Sequence, residues 1–242
     1  MSLAKNFNKA LHGQLKIYAA WYPVANTFNV GDFGLIDGGV FRRLGDVSEF
    51  GVDFQTASGK PASIDFASAG TRSIRTVAGV EVPALSEIGE VEAKLTFDFS
   101  QANSNVIKAS LDVLEMQNIY QVSRQLAKHD DWEKRFKIVW AVYTGKQCVI
   151  ISTSEAGTKV EFSGKANLLQ QIEAGQVEVS PSIESSSDRV FKSVGKTGVV
   201  GLGLFKLGWF DRVKVLAAGD RIDEDDDVKL EKDWGDDLAD DL

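Results

Sequence analysis

Cysteine is almost absent. Cys148 stands alone in 242 residues, so no disulfide can form within the chain and a reducing compartment is expected. Histidine is nearly as scarce: His12 and His129 lie far apart and, with one cysteine, cannot supply the local spacing of a zinc cluster, so no metal or other cofactor is expected. Of four prolines, Pro23 stops a β-prone run and Pro181 argues for an edge or exposed strand. No apolar run reaches the roughly 18 residues of a membrane-crossing helix, which leaves membrane β-structure open. Met1–Leu15 has no continuous apolar stretch, so a cleaved secretory signal is not expected and a cytoplasmic protein is.

Charge of one sign is also missing from most of the chain. The formal net charge is −8, but Asp220–Leu242 holds twelve Asp/Glu and three Lys/Arg, or −9, leaving 23 acids against 24 bases, or +1, over residues 1–219. A nearly neutral body gives little pull on a polyanion. The doublets Arg42-Arg43 and Lys134-Arg135 are isolated, so nucleic acid is not an expected partner.

What is present reads mainly as strand. Leu3, Phe7, Ala10 and Leu11 recur at helical spacing before Gly13, which predicts an N-terminal helix over 3–14. Glycines 31, 34, 38, 39 and 45 then punctuate short β-prone pieces such as Phe33–Ile36 and Val40–Leu44 with tight turns. In Val91–Phe99, Val91, Ala93, Leu95, Phe97 and Phe99 alternate with Glu92, Lys94, Thr96 and Asp98, the pattern of a half-buried strand. Val106–Leu114 continues in β, and Asn118 is placed to cap a helix reaching His129. Phe136–Tyr143 and Gln147–Ser154 flank Thr144-Gly145-Lys146, which reads as a hairpin turn. Val160 and Phe162 oppose Lys159 and Glu161, Ala166–Ala174 suits one or two helical turns, and Val177, Val179, Pro181 and Ile183 share one face of Gln176–Glu184. Val190–Val194, Val199–Leu207 and Arg212–Ala217 complete the series. With about ten strands and two principal helices, the predicted class is α+β, rich in antiparallel sheet.

Enzymatic motifs fail on inspection. Ser193-Val194-Gly195-Lys196-Thr197 has Val190 where a phosphate loop needs glycine and is followed by β-branched residues, so it reads as a turn between strands. Gly201-Leu202-Gly203 lacks the third glycine of a dinucleotide site and reads as close strand packing. His129-Asp130-Asp131 is the only local His/acid cluster. Both it and His12 fall near predicted helix C-termini, where a cationic histidine is favourable to the dipole. Cys148 reads as a small buried hydrophobe. No catalytic residue is assigned, although residues scattered in sequence could still converge in a pocket.

The acidic end has a pattern of its own. Leu230, Trp234 and Leu238 recur at four-residue spacing behind the block Asp220–Asp227, which permits an amphipathic segment docking through those three side chains. The other reading is a disordered acidic tail that only aids solubility.

The order and spacing of four stretches resembles the bacterial gasdermins, small relatives of the pore-forming domain of animal gasdermins. They are Leu3–Pro23, Val40–Val47, Val91–Phe99 leading into Asn118–Lys128, and Phe136–Leu207, and within the last the runs Trp140–Tyr143, Val160–Phe162, Gln176–Val179 and Val190–Leu207. The resemblance implies a twisted antiparallel sheet with an N-terminal helix and a few further short helices, like the gasdermin N-domain. It implies one α+β domain over 1–212 and an acidic tail over 213–242 that restrains it through Leu230, Trp234 and Leu238. A protease would release the tail, and the body would move from the cytoplasm to a membrane, bind its lipids, form a homo-oligomer and insert β-hairpins as a non-enzymatic pore. The inserting residues would be Val91, Ala93, Leu95, Phe97, Phe99, Val160, Phe162, Val177, Val179 and Ile183. One departure is plain: bacterial gasdermins carry a lipid-modified cysteine very near the N-terminus, and residues 2–10 here have none. The alternative expectation is a soluble, non-enzymatic interaction or scaffold protein of the same fold whose acidic tail recruits a partner.

Overall fold

The computed structural model describes residues 2–86, 89–177, 183–187, 189–207 and 213–216. Helix α1 (Leu3–Leu15) leads into β1 (Tyr18–Ala19), β2 (Asp32–Asp37), β3 (Val40–Asp46), a 3-10 turn (Val47–Phe50), β4 (Thr56–Ser58) and β5 (Ala62–Ala67). Then come β6 (Thr71–Val77), β7 (Val80–Glu81), β8 (Glu92–Phe99), β9 (Ser104–Met116) and helix α2 (Ile119–Leu126). The chain continues through β10 (Lys137–Thr153), β11 (Thr158–Lys165), α3 (Ala166–Ala174), β12 (Ile183–Ser186), β13 (Val190–Leu207) and β14 (Val213–Leu216). The class is α+β, with an N-terminal helix, two antiparallel sheets and two further short helices among the described residues, as expected. Among the described residues two compact units are present, 2–7, 63–110 and 145–197 in one, 8–62, 111–144 and 198–216 in the other.

In the second unit β2 lies between β3 and β10, with Lys137 opposite Gly34 and Asp37 opposite Val40. Gly38 and Gly39, at φ 61° and 78°, close the β2–β3 hairpin in the left-handed conformation that such two-residue turns need. The core beside it is aromatic: Phe33 meets Phe50, Trp132 and Phe136 with ring centroids 5.5, 5.4 and 5.3 Å away. Gly34 sits at a register shift between β2 and β3, where a Cβ would land on the Arg42 carbonyl. Gly34→Ala is therefore expected to destabilise the chain by about 1–3 kcal/mol, read as a lower midpoint in thermal unfolding. An unchanged midpoint would mean that β3 is free to move away.

Several expectations need correction. Residues 144–146 do not turn, because β10 runs unbroken from Lys137 to Thr153. Among these residues and their neighbours only Gln147 has positive φ, at 52°, whereas a two-residue hairpin of the primed type takes up positive φ in the turn itself. Likewise Val190–Val194 and Val199–Leu207 are one strand, and Gly195, at φ 75°, is an irregularity inside β13. Asn118 precedes α2 but makes no side-chain cap; its Oδ1 accepts the Gln55 N–H at 2.9 Å. α2 stops at Leu126, so His129 lies beyond it, its ring packed edge-on to Phe50 at 5.6 Å. His12 does lie in the last turn of α1, but burial first, then the charge of Lys16, lower its pKa to about 4.

The readings of Cys148 as a buried hydrophobe and of Gly201 and Gly203 as close packing agree with the structure. Cys148 is fully buried, and burial pushes its thiol up to about 12. A Cβ at Gly203 would crowd Trp140, and one at Gly201 would crowd Ile17 and the Tyr18 carbonyl, so these glycines serve close packing. The Arg doublet is engaged: Arg42 pairs with Asp37, and Arg43 Nε donates to the buried Asp32 at 2.6 Å. Among the described residues no helix is long and apolar enough to cross a membrane, and no three His, Cys, Asp or Glu side chains gather as metal ligands.

Candidate functional site

The first unit carries a four-stranded antiparallel sheet in the order β11-β8-β6-β7. In register, Phe97 stands opposite Val160 and Ser73, Leu95 opposite Phe162 and Arg75, and Ala93 opposite Gly164 and Val77. Because side chains alternate along each strand, these residues share one face. Ala93, Leu95, Phe97, Phe99, Val160 and Phe162 are all buried there, in one core with Ala166, Leu169 and Ile172 of α3. Phe97 and Phe162 meet edge to face with centroids 6.2 Å apart.

The other face is polar and ion-paired. Lys94 Nζ lies 3.1 Å from Glu161, Lys159 Nζ 3.6 Å from Asp98, and Arg72 Nη2 3.1 Å from Glu81. These pairs are half-exposed and contribute about 0–1 kcal/mol each. Burial of the opposite face, at about 1.5–3 kcal/mol for each large apolar side chain, decides which way the sheet is oriented.

The cover on the apolar face is shared: Val106 of β9, Val149 and Ile151 of β10 and Val194 of β13 belong to the same core as the stripe of α3, and α3 grows directly from the sheet. Lys165, the last residue of β11, is also the N-cap of α3 in extended conformation, without a side-chain cap. Ala166 N–H donates to the Val91 carbonyl at 2.9 Å, one residue beyond the Lys165–Glu92 pair. Ala166, Leu169 and Ile172 form the buried stripe, and Gly175, at φ 74°, ends the helix with its N–H on the Gln171 and Ile172 carbonyls. With no acid in its first turn and no base in its last, a helix of this length is marginal alone and depends on its apolar stripe.

Of the residues expected to insert in a membrane, Ala93, Leu95, Phe97, Phe99, Val160 and Phe162 come together on this face. Val91 is 44% exposed and precedes β8, so the strand is shorter than its alternation suggested. Val177 is buried in the same core but follows α3 outside any strand. Ile183 opens β12, paired with Val194 of β13. Val179, Leu230, Trp234 and Leu238 lie outside the described residues.

Sequence reasoning missed Arg75 and Glu173. Arg75 sits on the apolar face opposite Leu95. Its Nε donates to Glu173 Oε2 at 2.7 Å, its Nη2 to Glu173 Oε1, and its Nη1 to the Pro83 carbonyl at 3.1 Å. The hydrogen bond to Glu173 raises the pKa of the guanidinium. One signal was available: an acid in the last turn of a helix opposes the dipole, so Glu173 needs a cation nearby.

No protein-family model and no curated protein matches the sequence. The chain is similar in structure to a bacterial gasdermin from Bradyrhizobium tropiciagri, at 15% sequence identity and TM-score 0.40, over 88% of this chain and 90% of that one.

Proposed function

We propose that the protein is a non-enzymatic, gasdermin-like pore-forming effector, stored in the cytoplasm and released by proteolysis of its acidic tail to assemble in a membrane. The observation that carries this reading is the two-faced pair β8 and β11, whose apolar side is covered in part by a helix continuous with it. A membrane β-barrel needs strands with one face for lipid and one for water, closed so that every backbone group is paired. β8 and β11 have those two faces.

Length is the remaining requirement. Membrane strands run to about 9–11 residues, and β8 and β11 have eight each. The sequence allows the extension, because Ala166 and Leu168 keep the parity of Val160 and Phe162, while Lys165 and Asn167 keep that of Lys159 and Glu161. Opposite them, Val91 continues the row of Ala93 and Leu95. Unwinding the first turn of α3 would lengthen the β8–β11 ladder and turn its apolar face outward. In the stored protein, residues 213–242 would hinder this step, with Leu230, Trp234 and Leu238 as the docking side chains.

Truncation after Gly219 is the test: the shortened protein is expected to release dye from liposomes that the full chain leaves intact. A folded, monodisperse truncated protein that leaves vesicles of every composition tight would sink the proposal, and loss of a bound partner on truncation would favour the scaffold reading. A second expectation concerns charge. The polar face sets Arg72, Lys94, Lys159 and Lys165 against Glu81, Glu92, Asp98 and Glu161, in balance. Channels of the truncated protein in a planar bilayer should therefore show a reversal potential near zero in a KCl gradient. Strong selectivity for either ion would mean that another surface lines the lumen.

A further inference from the structure

The geometry points to the Arg75–Glu173 fork as a latch that keeps α3 seated on the apolar sheet face and the uncleaved chain out of lipid. It rests on the pore-forming reading above.

Arg75 is the one cation in the row Thr71, Ser73, Arg75 and Val77, which faces the same side as Phe99, Phe97, Leu95 and Ala93. Both partners are largely buried, their side chains 26% and 19% exposed, and the contact is a two-pronged fork. Two parallel charge-assisted bonds fix the direction as well as the distance of approach. The fork grips α3 in its last turn, whereas its first turn is held by the Ala166–Val91 hydrogen bond. Opening the helix from the sheet therefore has to break the fork and leave a guanidinium beside Leu95 with the Pro83 carbonyl in place of its carboxylate.

The same residue acts against premature insertion. An arginine on the lipid side of a barrel strand is strongly disfavoured near the bilayer midplane and tolerated at the interface. With Glu173 attached the charge is satisfied in the stored form; without it Arg75 opposes deep entry of β6. A neutral apolar residue of similar length would remove both restraints, and a neutral partner at 173 would remove only the first.

The full-length chain tests this with Glu173→Gln, Arg75→Met and the double swap Arg75→Glu with Glu173→Arg. Amide exchange across 167–174 is expected to rise about tenfold in each single variant and to return to within about threefold of wild type in the swap. Exchange in the interior of β10 should not move, which separates a released helix from a destabilised fold. Dye release from phosphatidylglycerol/phosphatidylethanolamine vesicles should rise in the order wild type, Glu173→Gln, Arg75→Met. Exchange of 167–174 within twofold of wild type in both single variants would overturn the latch. So would faster exchange without added leakage, provided the tail-truncated wild type leaks. If that truncated protein leaves vesicles tight, the pore-forming reading is what fails, and the exchange measurement alone decides whether the fork holds the helix.

Discussion

Phe97→Ala is expected to lower the stability of the chain by about 3–5 kcal/mol, the cost of deleting a large aromatic side chain from a packed core. Phe97 is 2% exposed and sits in β8, paired on one side with β11 and on the other with β6. Its ring meets Phe162 edge to face, so the substitution removes an aromatic pair and leaves a cavity in the core that α3 shares. Neighbours on both sides are fixed by ladders and cannot close it. On the opposite face, Lys94→Ala breaks a half-exposed pair with Glu161 and should stay within about 0.5 kcal/mol of wild type. Urea unfolding of the two variants side by side measures the asymmetry of the sheet. A cost below about 1 kcal/mol for Phe97→Ala would mean that the face under α3 is not a closed core, and the proposed helix cover would lose its purpose.

Acid should weaken the fold through His12. The residue is 7% exposed, its ring 6.0 Å from that of Tyr18, and its pKa is lowered from 6.5 to about 4 by burial and, second, by Lys16. Above pH 6.5 the histidine is neutral in both folded and unfolded chains and contributes nothing to the pH dependence. As pH falls from 6.5 towards 4, the unfolded chain takes up a proton that the folded chain refuses, so stability declines. Below about 4 both forms are protonated and the loss is complete, at up to about 3 kcal/mol. His12→Gln lacks this component. The gap between the denaturation free energies of wild type and His12→Gln should therefore change by about that amount between pH 7 and pH 4. Parallel profiles would show that His12 is solvated in the folded protein. Asn8, one turn earlier in α1, accepts the Ala19 N–H at 2.8 Å and does not titrate, so the pH effect belongs to the histidine alone among these two buried polar residues.

Alternation made strands with one buried and one solvated face legible in the chain. β8 was legible because Ala93, Leu95, Phe97 and Phe99 alternate with charged or hydroxyl residues, and β11 for the same reason. β6 was not, since its inward row of Thr71, Ser73, Arg75 and Val77 has little apolar character. Arg75 is accommodated there because Glu173, 98 positions along the chain, and the Pro83 carbonyl meet it. Local turn chemistry misled at 144–146: Gly145 belongs to a strand with neighbours on both sides, β13 and β9. Its ladders hold the backbone extended where the isolated segment would have turned. Asn118 illustrates the same competition, its side chain answering the Gln55 amide where the sequence offered it to a helix.

By itself the sequence determined the class of the fold, the N-terminal helix, the two-faced character of β8 and β11, the inert burial of Cys148, and the separation of a neutral body from an acidic end. All of these follow from periodicity, composition and charge, which are local quantities. Only the tertiary structure decided that α3 packs on the apolar face together with residues of β9, β10 and β13, that Arg75 and Glu173 form a fork there, that His12 is held neutral, and that β10 and β13 continue through glycines that read as turns. The reason is common to all four: each depends on which distant segment supplies the neighbouring atoms, and desolvation, ion pairing and strand pairing act through space, with no trace in the spacing along the chain.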